Sequence, residues 1–288
     1  VATVAHAPCY IMASLRAGKQ TMNDYAGKTA VVTGASSGIG RALSHQLAAR
    51  GARVILTARR QAVLEEVARE IEPAEGIPMA ADLRDPTAIT RLADEIKRRV
   101  ERVDLLVNNA GVGLHRAAIE SPSEIVRQLF ELNVFGPVEL TRQLVPLMPH
   151  GGAVVNVSSI AGKVPLPNLN LYSASKYALN AFSDGLSMEL RGKGIHVMTV
   201  CPGYVETAFG DSVLLGKISH EVPGKKRFTI SADECALAIL EGLGRGKRTV
   251  VTPRIGWLFI GIARLIPGFL FGRMAGHVKL SNDPPENA

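Results

Sequence analysis

The chain has 288 residues, 47% hydrophobic and 20% charged, a balance ordinary for a soluble globular protein of one large α/β domain or two small ones. Lys and Arg outnumber Asp and Glu by 33 to 26, which favours a phosphorylated cofactor, anionic lipid or nucleic acid. No Lys/Arg-rich run with interleaved aromatics appears, so nucleic acid is set aside, and Cys9, Cys201 and Cys235 have neither metal nor redox spacing, which excludes a disulfide framework and suggests a reducing compartment.

Residues 1–24 lack the basic start and unbroken apolar core of a signal peptide. They read as a disordered leader, with Met22 a candidate start. From Lys28 onwards strand and helix patterns alternate, as a parallel sheet covered on both faces requires. A strand at Thr29–Val32 runs into Thr33-Gly34-Ala35-Ser36-Ser37-Gly38-Ile39-Gly40 and then a helix, Arg41–Arg50. Gly34, Gly38 and Gly40 permit a tight turn there and let a pyrophosphate approach backbone N–H groups at the helix N-terminus. A second strand, Arg53–Ala58, ends in Arg59-Arg60 with no carboxylate before Glu65. A guanidinium at that point suits a 2′-phosphate, whereas a ribose 2′-hydroxyl asks for an acceptor.

A helix over Ala62–Ile71 leads to a strand, Ile77–Ala81, ending at Asp82-Leu83. After a helix over Pro86–Val100, the strand Leu105–Asn108 flows into Asn109-Ala110-Gly111, small and amide residues of the kind that line the ligand crevice of such sheets. The next helix, Ser123–Leu144, contains Gly136-Pro137, which should kink it or remove a hydrogen bond. Ala153–Ser158 reads as a buried strand with Ser159 at its end. Tyr172 and Lys176 follow on one face of a helix over Tyr172–Arg191, where the ammonium should lower the pKa of the phenol towards a useful acid/base range. Alone, Tyr-x-x-x-Lys is common on solvated helix faces. The strand His196–Cys201, the run Pro202-Gly203-Tyr204-Val205-Glu206-Thr207, the helix Ala232–Leu243 and the strand Thr249–Thr252 complete the pattern.

TGASSGIG at 33–40, NNAG at 108–111, Ser159, Tyr172 with Lys176, and Pro202 to Thr207 together resemble the short-chain dehydrogenase/reductase family, over roughly Gly27 to Thr252. The resemblance implies a single-domain doubly wound Rossmann fold with a seven-stranded parallel sheet in the order 3-2-1-4-5-6-7. It implies NADP(H) as cofactor, with Gly34, Gly38 and Gly40 at the pyrophosphate and Ser36, Ser37 and Ile39 nearby. Arg59 and Arg60 would meet the 2′-phosphate, Asp82 and Leu83 the adenine, and Asn109, Ala110 and Gly111 the adenosine ribose. Pro202, Gly203, Val205 and Thr207 would border the nicotinamide, and Tyr172 and Lys176 would also touch the cofactor. Catalysis would rest on Asn133, Ser159, Tyr172 and Lys176. Tyr172 would be the acid/base, with Ser159, not Ser158, as its partner because thirteen residues separate it from the tyrosine. Asn133 would hold a relay water through its backbone carbonyl. Pairing of the two long helices would give a homodimer or homotetramer. No metal is expected.

By the same resemblance the loop Gly162–Leu171 and the segment Ala208–Ile230 should set the substrate. The loop is apolar with polar Asn168 and Asn170, and the segment mixes Val213-Leu214-Leu215 with basic Lys225-Lys226-Arg227. Both fit an apolar substrate with an occasional polar or anionic group. Beyond them Ile255–Met274, IGWLFIGIARLIPGFLFGRM, is near the length of a membrane span yet carries Arg264 and Pro267. It reads as a flap beside the pocket with peripheral membrane contact. The domain plan is thus a leader at 1–24, a catalytic domain at 25–253, a hydrophobic extension at 254–280 and a disordered tail at 281–288. The expected protein is a cytoplasmic, peripherally membrane-associated enzyme interconverting a secondary alcohol and a ketone or aldehyde on an apolar, steroid-, retinoid- or lipid-like substrate. Its rivals are a 3-oxoacyl-carrier-protein reductase and a non-catalytic NADP-binding scaffold or sensor.

Overall fold

The computed structural model describes residues 25–207, 209, 213–215 and 229–275. The expected leader, the tail at 281–288 and most of the substrate segment 208–230 lie outside the described residues.

Short apolar runs bounded by turn residues form the strands β1 (Thr29–Thr33), β2 (Arg53–Ala58), β3 (Gly76–Ala80), β4 (Leu105–Asn108), β5 (Ala153–Val157) and β6 (His196–Pro202). A small parallel pair follows, β7 (Tyr204–Glu206) with β8 (Thr229–Ser231), and then β9 (Thr249–Thr252). The main sheet is seven-stranded and parallel in the order β3-β2-β1-β4-β5-β6-β9. That is the expected order. The seventh sheet strand is the ninth in the chain only because the β7/β8 pair intervenes.

Strand side chains alternate between two buried faces. Ala30 and Val32 of β1 pack with Leu43 and Leu47 of α1 (Gly38–Ala48), Leu64 and Val67 of α2 (Gln61–Glu70), and Cys235 and Ile239 of α7 (Ala232–Gly244). Val31, between them, points the other way. It joins Ile89, Leu92 and Ile96 of α3 (Pro86–Arg99), Leu140 and Leu144 of α5 (Gly136–Leu144), and Leu186 of α6 (Asn170–Glu189). Each large side chain buried this way contributes about 1.5–3 kcal/mol.

The long helix expected at 123–144 is three pieces: α4 (Ser123–Phe130), a π-helical turn over Glu131–Phe135, and α5. Pro137 has no N–H to offer the Asn133 carbonyl, so the regular ladder fails there and the wider turn takes its place. Asn133 sits inside that turn. At the C-terminus the chain forms α8 (Gly256–Leu265) and α9 (Pro267–Ala275), bent by 102° at the break. Among the described residues no single helix is long and apolar enough to cross a membrane.

Candidate active site

The loops leaving β1, β2, β3 and β4 enclose a cleft of about 230 Å³ at the C-terminal end of the sheet. Its walls bring together Gly34, Ser36, Ser37, Gly38, Ile39, Arg59, Arg60, Asp82, Leu83, Asn109, Ala110, Gly111 and Thr207. Close approach of backbone explains the glycines. Gly34 has φ +66°, and a Cβ on it would lie 2.8 Å from Asn109 Nδ2. Gly38 has φ +53°, and a Cβ there would meet Thr207 Cγ2 at 2.9 Å. Gly40 lies beneath the turn rather than on the cleft wall, where a side chain would fall on the Gly34 carbonyl oxygen. Thr33 locks this turn to the next one. Its Oγ1 donates to the Val107 carbonyl at 3.2 Å and accepts from the N–H groups of Asn109 at 2.9 Å and Ala110 at 3.0 Å.

The cleft's donors remain free for an anion. Ser37 occupies the N-cap of α1 without using its hydroxyl as a cap. Arg59 and Arg60 are exposed, and among the described residues neither side chain makes a hydrogen bond or ion pair. Asp82 is different. It is gripped by Arg84, with Nη2–Oδ2 at 2.6 Å, and that hydrogen bond holds its carboxyl below the ordinary range, with Arg59 adding to the effect.

A second group of side chains adjoins the cleft at Gly111, where a Cβ would lie 3.3 Å from Lys176 Nζ and 3.1 Å from Asn133 Oδ1. Two adjacent serines at the end of β5 part company. Ser158 is buried and donates to the Lys176 carbonyl at 3.1 Å, pinning the strand end to α6 with help from Asn180, whose Nδ2 donates to Gly162 O at 2.6 Å. Ser159 caps the short turn Ile160–Gly162, accepting from Ala161 N at 3.1 Å, and its hydroxyl acts on the Tyr172 phenol, drawing its pKa down. Tyr172 is buried in an apolar cluster with Val112, Leu114 and Leu129, and Phe209 packs on its ring at 6.0 Å between centroids.

Lys176 is buried, with its Nζ donating to the Val157 carbonyl at 3.1 Å and lying 5.8 Å from the Tyr172 ring centroid. No carboxylate pairs with it among the described residues. Burial lowers its pKa to about 8. For Tyr172 burial is again the largest cause and raises the pKa to about 12, with Ser159 pulling the other way. This corrects the sequence expectation that Lys176 would bring the phenol down. The ammonium is turned to a backbone carbonyl over the ring, and desolvation of the phenolate outweighs it.

Asn133 is fully buried and ties the site together. Its Oδ1 accepts from Val112 N at 2.9 Å, and its Nδ2 donates to Val112 O at 2.9 Å and to Ser175 Oγ at 3.1 Å. Ser175 in turn donates to the Tyr172 carbonyl at 2.7 Å. Pro202 ends β6, and Gly203 N donates to Thr252 O at 2.8 Å, anchoring the run through Val205 in β7 to Thr207 opposite Gly38. Thr33, Arg84, Ser175 and Phe209 are site residues that the sequence pattern does not assign. Only Thr33 and Ser175 had a signal, as hydroxyls inside motifs otherwise filled by small residues.

The chain matches the short chain dehydrogenase family model over residues 28–216. It belongs to that family. Among its relatives is dehydrogenase/reductase SDR family member 7B of Bos taurus, 34% identical over 265 residues, or 86% of this chain and 81% of that protein. A short-chain dehydrogenase from Burkholderia cenocepacia in complex with NADP shares 30% identity, with a TM-score of 0.72 over 80% of this chain and 97% of that one. A family structure from Burkholderia phymatum in complex with NAD is alike in fold alone, at 24% identity and a TM-score of 0.76 over 92% and 99%. This short-chain dehydrogenase is therefore a nucleotide-binding oxidoreductase of the nicotinamide-dependent kind.

Proposed function

We propose that this short-chain dehydrogenase uses NADP(H) to interconvert a secondary alcohol and a carbonyl compound on an apolar substrate, with residues 25–253 as the catalytic domain. The observation that carries the chemistry is the convergence of Ser159, Tyr172 and a buried, carboxylate-free Lys176 just beyond the glycine-lined cleft. The cleft fits a dinucleotide. Gly34 and Gly38 on its wall leave no room for a Cβ, an uncapped helix N-terminus lines it, and two unpaired guanidinia offer charged donors suited to a 2′-phosphate. When bound, the nicotinamide supplies or accepts the hydride.

The chain's own groups do the rest. Tyr172 stays protonated at neutral pH and so gives a proton to the carbonyl oxygen in the reductive direction. Ser159 hydrogen-bonds the same oxygen as charge gathers on it. Lys176 spends one N–H on Val157 and has two more for ribose hydroxyls. Asn133 fixes the Val112 loop and, through Ser175, the first turn of the catalytic helix, while Pro137 leaves its carbonyl without an α-helical donor for a relay water. The apolar cluster around Tyr172 suits a hydrocarbon-rich substrate. Self-association through the long helices belongs to the same reading, since Phe135, Tyr177 and Met188 present exposed apolar surface there.

A panel of apolar and small ketones and aldehydes with NADPH tests the reading, with Tyr172→Phe as the control. Turnover by the wild type should fall by about 10²–10⁴-fold in the variant, with cofactor affinity kept. In the oxidative direction the phenol must first lose its proton, so that rate should climb with pH through the alkaline range. Equal turnover by Tyr172→Phe defeats the mechanism. NADPH binding with no turnover of any carbonyl would favour the non-catalytic scaffold.

A further inference from the structure

The excess positive charge of this protein has one address. Between Gly242 and Asn282 there are seven Lys or Arg residues and not one Asp or Glu, so the remainder of the chain carries 26 of each sign. Within that stretch α8 is apolar on two opposite faces. Gly256, Ile260 and Ala263 dock it on the catalytic domain against Val251 and Ile160, the residue after Ser159. On the other side Leu258, Ile262 and Leu265 repeat at the same helical spacing and face outwards, Leu258 63% and Leu265 84% exposed. The chain then turns through 102° into α9, where Phe269 is 67% exposed. Arg254, Arg264 and Arg273 stand exposed along this arm, and none has an ion-pair partner among the described residues.

The apolar surface does not stop at the arm. Phe271 of α9 faces Leu166 of the loop before the catalytic helix and the exposed Ile119 across an apolar groove of about 410 Å³. Leu166 also packs in the cluster around Tyr172. Exposed apolar side chains on both helices with unpaired arginines among them match the boundary of a bilayer, with side chains entering the acyl region and guanidinia meeting phosphate. Each helix is too short to span a hydrocarbon core of about 30 Å, so the arm would lie in the interface.

We infer that residues 254–275 dock this enzyme on an anionic lipid leaflet, with the groove beside α9 opening towards that surface. The arm acts as a fixed float, because its inner face is already buried against the catalytic domain.

Full-length protein is sedimented with vesicles of phosphatidylcholine, alone or mixed with phosphatidylglycerol, at low and high salt. The wild type should pellet with the mixed vesicles, less at high salt and little with phosphatidylcholine alone. Leu258→Ser with Leu265→Ser should weaken that partition by at least about tenfold while keeping the wild-type thermal midpoint, since both side chains are exposed. Arg264→Glu with Arg273→Glu should remove the preference for anionic vesicles. Wild-type protein left in the supernatant overturns the inference, as does equal binding to both vesicle types. A serine variant that changes self-association in velocity sedimentation, and not vesicle binding, would assign the face to a second copy of the chain. Vesicle binding is read without turnover, so it stands or falls apart from the proposed reaction.

Discussion

The turn after β1 and the arm after β9 meet their partners by opposite means. At Gly34, Gly38 and Gly40 the chain removes side chains, because backbone, Asn109 and Thr207 already occupy the space a Cβ would take. At Leu258, Leu265 and Phe269 it adds apolar bulk that nothing in the described chain covers. The first arrangement tolerates one ligand shape, since every atom is fixed by another. The second has no such geometry. It is suited to a surface, where composition and charge matter more than the placement of any single atom.

The serine pair is where position-bound construction is most sharply exposed to test. Ser159 acts on the Tyr172 phenol, lowering its pKa, while its neighbour Ser158 donates to the Lys176 carbonyl. Ser159→Ala should lower turnover by about 10²-fold, the scale for losing one donor to a developing oxyanion. Ser158→Ala should leave turnover nearly intact and cost about 1 kcal/mol of stability. Steady-state kinetics beside chemical denaturation of both variants reads the contrast. Similar kinetic losses in the two would mean that the site is less strictly ordered than its hydrogen bonds imply.

Between the rigid turn and the arm, in strictness, lies the end of β2. Arg59 and Arg60 are exposed and unpaired, so here the cleft relies on charge rather than close packing. Arg59→Ala should weaken NADPH by about ten- to a hundredfold, the equivalent of one charge-assisted hydrogen bond, and leave NADH unchanged. Titration of both cofactors into both proteins decides it. A wild type that binds the two equally removes the preference for a 2′-phosphate.

The parts readable from sequence were those with a local physical rule behind them. Short apolar runs marked the strands and glycine spacing the turn after β1, because each depends on residues close in the chain, whereas the order of the strands in the sheet came only through the family resemblance. Motif spacing points to Ser159 as the partner of Tyr172, whereas the bonds of Ser158 and Asn180 that tie the strand end to α6 were not legible, since they join residues 18 positions apart. Pro137 predicted a fault in the helix; that the fault would be a π-turn around Asn133 depended on packing. The phenol's direction of titration was misread for a similar reason. Sequence places an ammonium four residues away, but only the fold shows that it faces Val157 and that burial dominates.

The smallest expected effect is at Gly261, and it stands out against Gly40, a glycine that looks like it in sequence. Gly40 and Gly261 both sit in helices, α1 and α8. A methyl group on Gly40 would collide with the Gly34 carbonyl and Asn109, whereas one on Gly261 has no atom within 4 Å. Gly40→Ala should therefore lower stability by about 1–3 kcal/mol, the cost of forcing bulk into a filled space. Gly261→Ala should do the reverse, because alanine loses less backbone freedom than glycine in a helix, by about 0.5–1 kcal/mol. The gain at Gly261 is read locally, in amide exchange of residues 256–265, where protection should rise about two- to fivefold. Denaturation of Gly40→Ala and exchange on Gly261→Ala put the turn and the arm side by side. A Gly40→Ala protein as stable as the wild type would show that the turn yields, and reduced protection in Gly261→Ala would show that the arm is held at Gly261 by something other than its own helix.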